Sequence, residues 1–280
     1  MCDAIYALPP VRWLASLPTA VILALCVGGA VALGVVTTVL LHRAVRTTGR
    51  EHAGLTAAAY MTALGSLFAI LTGFLLNGEY AVLRQTQNLV YEEVAAGSRL
   101  AFSTEGLPAA DIALVHDGLA EYFDTLGASE WRALGRGTPE VSASVPALAR
   151  LQQLVFDLGA RPYAPAATAD GMQSAVSDLT GIRRQRVGVS SQTMPAALFV
   201  LSLITGVALI VNAIVVTLRA GRGFALVAAG IVVIVALDLG AIIGISAPFN
   251  GPFQASPDPA LQLAAELRSG QYLPWLVVGR

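Results

Sequence analysis

Apolar residues fill four long runs of this chain, and the runs come in two pairs. The first pair covers residues 19–41 and 55–76, the second 195–218 and 224–247. Each run reaches the ~20 residues that an α-helix needs to cross ~30 Å of hydrocarbon. A polar stretch, 77–194, separates the pairs and is long enough to form a domain. The pattern predicts four transmembrane helices and divides the chain into 1–76 (lead and first helix pair), 77–194 (helical insert), 195–247 (second pair) and 248–280 (interfacial tail).

The insert reads as helices. Leu83, Val90, Val94, Gly97 and Ala101 follow heptad spacing, with Gln87 as one polar lapse. This helix is expected to continue out of the second span and to stop at Gly106-Leu107-Pro108. A second helix starts at Pro108, carries Ile112, Val115, Leu119, Tyr122 and Leu126 on one face, and ends at Gly127. A short turn at 129–134 follows. A third helix runs from Ser144, a candidate N-cap, to Leu158. A fourth starts near Thr168, shows Met172, Ala175, Leu179 and Ile182 on one face, and feeds the third span. Short connections between amphipathic helices predict an antiparallel four-helix bundle. The fold class is therefore all-α, with two transmembrane pairs around an inserted bundle. A last short helix is expected at 259–267, and the tail 271–280, with Tyr272 and Trp275, suits the interface.

Composition agrees. The 280 residues are 55% hydrophobic and 12% charged, against about 25% charged in soluble domains. Every basic side chain is Arg and Lys is absent, as a GC-rich bacterial genome would give. The net charge of −1 argues against a nucleic-acid partner. Cys2 and Cys26 cannot build a disulfide framework. The first run is too long for a signal-peptide core and lacks a small-residue cleavage site, so it reads as a retained helix. Membrane lipid is the implied partner and a bacterial inner membrane the implied location, crossed several times.

Four spans put both tails and the bundle on one side. Arg43, Arg46, Arg50, Arg219 and Arg222 favour cytoplasmic short loops, while Arg12, Arg84, Arg183, Arg184 and Arg186 favour a cytoplasmic bundle. The tally is level. Short loops weigh more, so charge tilts towards an exported bundle.

Asp238 is the acidic residue inside an apolar run, where a charge costs roughly 2.5–3.5 kcal/mol on insertion scales. Either it contacts a proton or ion, or it packs as a neutral, hydrogen-bonded group. Thr72 and Ser202 or Thr205 fall near its depth. Gly240 and Gly244 beside it, like Ala30 and Gly34, allow close helix approach. Arg183, Arg184 and Arg186 suit an anion-attracting ring or lipid headgroups. Glu92 and Glu93 either pair with them or form a solvated face. His42, His52 and His116 lack metal-ligand spacing, and no phosphate loop, nucleophile elbow or Cys cluster marks an enzyme. No cofactor or metal is implied.

Several pieces, taken in order, resemble the bestrophin-like family of bacterial membrane proteins. They are the end of the second span at 70–76, Glu93, Leu107-Pro108, Tyr122, Glu130-Trp131, the Arg183/Arg184/Arg186 cluster, and Pro248-Phe249-Asn250-Gly251. The resemblance implies a homo-oligomer, channel-like and passing inorganic anions, with its large domain cytoplasmic. Two departures stand out. Gly244-Ile245-Ser246-Ala247 precedes Pro248 where the family often has acidic residues and an Arg, and 55–76 lacks the proline-bearing pore motif of true bestrophins. The alternative function is a non-conducting membrane sensor or scaffold whose bundle binds a ligand or partner.

Overall fold

A computed structural model describes residues 14, 17–45, 53–136, 144–190, 194–220 and 222–270. The tail 271–280, the short loop at 46–52, Trp13 and His52 lie outside the described residues. Every regular element described is helical. They are α1 (Thr19–Val45), α2 (Ala53–Ser103), α3 (Ala109–Thr125), a π-helical turn (Leu126–Glu130), α4 (Trp131–Arg136), α5 (Ser144–Gly159), α6 (Ala166–Ser190), α7 (Ala196–Ala220), α8 (Arg222–Ile245) and α9 (Asp258–Arg268). Four of them, α1, α2, α7 and α8, are long and apolar enough to cross a membrane. A helix suits that solvent because it satisfies its own backbone groups.

The chain divides into two compact units, and α2 contributes to both. The first holds α1, the start of α2, α7 and α8. Small residues set its packing. A methyl at Gly206 of α7 would stand 3.0 Å from both Phe68 of α2 and Val235 of α8. Gly240 of α8 faces Leu23 of α1 equally closely, and close approach of this kind holds helices together where no hydrophobic force can. Phe68, Leu209, Ile210, Ile214, Val232 and Val235 form one buried cluster. Leu226, 78% exposed, and Phe74, 70% exposed, point outward.

The second unit holds the rest of α2 with α3 to α6, residues 248–250, and α9. One continuous core, including Leu100, Val115, Leu119, Phe123, Leu151, Leu158, Met172 and Leu179, joins α2, α3, α5 and α6. Gly106, at φ 91°, turns the chain out of α2 where the Gly-Leu-Pro stop was expected. Several boundaries differ from expectation. The helix expected to end at Gly127 runs on through the π-helical turn, and the turn expected at 129–134 is instead the end of that π-helical turn and the start of α4. Trp131, Ala133 and Leu134 are buried there, and burying three apolar side chains favours an ordered helix over a loop. The fourth bundle helix starts at Ala166 and the last helix spans Asp258–Arg268. That last helix, α9, packs on the bundle. Leu261 reaches Gly127, and Leu263 reaches Gly97.

Candidate functional site

The second unit is organised around a buried ionic network. α2 brings Glu93, which is 1% exposed, and α6 brings Arg186, which has no exposure. Arg186 Nε donates to Glu93 Oε2 at 2.7 Å, and Nη2 donates to Oε1 at 3.4 Å. Tyr122 of α3 donates its hydroxyl to the same Glu93 oxygen. The π-helical turn supplies Glu130, also fully buried. Its Oε1 lies 3.3 Å from Arg186 Nη2 and 3.0 Å from Arg183 Nη2. Ser144, at the start of α5, donates its hydroxyl to Glu130 Oε2. Trp131 closes one side. The Arg186 guanidinium carbon is 5.9 Å from its ring centroid, and Phe249 meets it edge-on at 5.1 Å and 66°.

Two carboxylates thus face two guanidinium groups, and the network is neutral as a whole. Burial opposes the Arg186 charge, but Glu93 and then Glu130 outweigh it and raise its pKa. Burial, followed by the Glu93 charge, raises the Tyr122 pKa well above the usual phenol value, so the hydroxyl keeps its proton and remains a donor. Glu93, Tyr122, Trp131, Phe249, Arg183 and Arg186, scattered through 93–249, come together here. Three residues gain a definite place. Glu93 is buried and paired, and the solvated face fits Glu92 alone. Ser144 serves Glu130 through its hydroxyl. In the Arg cluster only Arg184 is exposed; it lines a surface groove between α5 and α6 with Gln152, Phe156 and Ser177. Pro248 is buried. Gly251, with φ 151°, adopts a backbone that favours glycine.

The first unit holds the intramembrane polar residues. Thr72 is buried and donates to Phe68 O at 2.9 Å; Thr205 donates to Leu201 O at 2.6 Å. Both hydroxyls therefore serve their own helices. Ser202 is fully buried, and among the described residues its hydroxyl has no partner. Asp238 is half-buried on α8, and among the described residues nothing hydrogen-bonds to it. The sequence reading missed Glu79, which is 7% exposed. Its signal was spacing: Phe68, Thr72, Leu75 and Glu79 continue one buried stripe of α2.

Apolar helices long enough for a bilayer, joined to a water-compatible helical bundle with a neutralised ionic centre, define an α-helical membrane protein. The chain belongs to the bestrophin-like family: the Bestrophin-like domain matches residues 28–260. Solved structures share the fold. A bacterial bestrophin homologue from Klebsiella pneumoniae is 13% identical, with a TM-score of 0.69 over 87% of this chain and 97% of its own. A mutant of a Klebsiella pneumoniae bestrophin homologue is 12% identical, with a TM-score of 0.70 over 89% and 98%. No curated protein matches the chain.

Proposed function

We propose that the protein is a homo-oligomeric channel, threaded several times through the bacterial inner membrane, that passes inorganic anions. Membership of the bestrophin-like family carries this reading. The outward face of α2 supports it. Thr62, Ser66, Ile70, Gly73 and Asn77 recur at helical spacing and are all exposed in the single chain. Four of these five are small or polar, whereas a lipid-facing stripe would carry bulky apolar residues. A polar, narrow stripe suits an aqueous path shared between copies.

The test is electrical. Purified, oligomeric protein in planar bilayers should conduct, with a reversal potential that follows a chloride gradient. Repeated silent recordings from protein of verified assembly would reject the channel. Mass measurement of the detergent-solubilised particle checks the assembly independently, and a monomer would remove the shared path.

A further inference from the structure

Two buried donors in the ionic network have no acceptor. Trp131 Nε1 and Arg186 Nη1 are both enclosed and, among the described residues, without a hydrogen-bond partner. Beside them, Glu130 Oε1 is ion-paired to Arg183 and Arg186 but accepts no well-directed hydrogen bond. Native interiors rarely leave such groups orphaned. The three atoms belong to residues already in mutual contact: Glu130 and Trp131 are chain neighbours, and Arg186 touches both. The backbone there is unusual as well, since Glu130 ends the π-helical turn Leu126–Glu130. Such widened turns recur at functional sites.

The chemistry of the missing partner follows from what surrounds it. Two N–H donors call for an acceptor, and a carboxylate oxygen calls for a donor. An anion could accept from Trp131 and Arg186. It would also stand beside Glu93 and Glu130, whose charges Arg183 and Arg186 already balance. An added negative charge would be buried without compensation, which a low-dielectric interior resists. A cation would meet two N–H donors and no more than one free carboxylate oxygen. Water meets every demand, with two lone pairs, two protons and no charge.

We propose that this cluster is a buried binding site for a single water molecule, which accepts from Trp131 Nε1 and Arg186 Nη1 and donates to Glu130 Oε1. Arg186 is then no station for a permeating anion, and the water completes the seam between α2, the π-helical turn and α6. The inference holds whether or not the protein conducts.

A crystal structure of the full chain grown in bromide tests it. The expected result is a density peak within hydrogen-bond distance of all three atoms, with no anomalous signal from bromide. An anomalous peak there would make it an anion site, and an absent peak would leave no ligand; either overturns the proposal. In solution, the Trp131 indole N–H should show a nuclear Overhauser cross-peak to a long-lived water. The Trp131→Phe variant assigns that signal by its loss. Should that variant not fold, the Trp13→Phe/Trp275→Phe double variant leaves Trp131 as the sole indole. A missing cross-peak on the assigned resonance also overturns the proposal.

Discussion

Arg186 stays charged without any exposure because two carboxylates on other elements hold it. Arg186→Met would leave Glu93 and Glu130 buried with half their compensation gone. The expected loss is about 3–5 kcal/mol, the usual cost of breaking a buried pair from one side. Glu93→Leu combined with Arg186→Met should cost clearly less than the sum of the single variants, because each partner's isolation is relieved. Chemical unfolding in detergent measures both; strict additivity would mean the two do not act as a pair. His116 offers a pH readout. It is buried, with Nε2 3.4 Å from Ala101 O, and burial lowers its pKa against the opposing pull of that carbonyl and of Asp117. The unfolded chain therefore takes up the proton first as pH falls. Stability is intact above the ordinary value of about 6.5 and declines below it until the folded form protonates as well. His116→Gln should flatten this acid-side decline in unfolding midpoints recorded from about pH 8 to 5; an unaltered slope would place the titration elsewhere. Of these partnerships, only Glu93 with the Arg183/Arg184/Arg186 cluster was open to the sequence, and then as one of two readings. Glu93 and Arg186 lie far apart in sequence, and no periodicity encodes a pair of that range. One clue existed: the buried stripe of α2 runs Thr86, Leu89, Val90, Glu93, Ala96, Leu100. The heptad reading took Val94, which packs partly buried against the same core, and passed over its more deeply buried neighbour Glu93.

Helices were more legible than their junctions. The long apolar runs and the three-four spacing of the insert gave α1 to α3 and α5 to α8 because each element writes its own burial pattern into adjacent turns. The π-helical turn and α4 were missed because their geometry depends on what covers them, namely Leu261 of α9 against Gly127 and Phe249 against Trp131. The glycines expose this dependence. A methyl at Gly97 would strike the ring of Phe123, which has no exposure and no room to turn. A methyl at Gly127 would approach Leu261 Cδ2 at 2.5 Å, but Leu261 is 37% exposed and free to swing. Gly97→Ala should thus destabilise the bundle by about 1–3 kcal/mol, in the range of core overpacking, and Gly127→Ala by less. Thermal unfolding of the two variants ranks them, and the reverse order would mean that α9 is held more rigidly than the bundle's own core.

At the scale of the whole molecule, Asp238 is an acidic residue in a candidate span to which no described residue donates a hydrogen bond. It sits half-buried in the apolar sequence of α8, and the hydroxyls that counting along the spans puts near its depth, Thr72 and Thr205, spend their protons on their own backbones. A carboxyl at that position is expensive in lipid unless it is neutral, hydrated or met by another group. In the channel proposed above, the partner would be water in a path, a passing ion or a second copy. Each of these depends on the carboxyl as an acid, whereas packing depends only on its shape. Asp238→Asn keeps the shape and removes the acid. The variant should assemble and unfold like the parent, yet change conductance or its pH dependence in planar bilayers. Equal currents and equal reversal potentials, from particles of equal mass, would assign Asp238 to packing and move the search for the conducting surface to the polar stripe of α2.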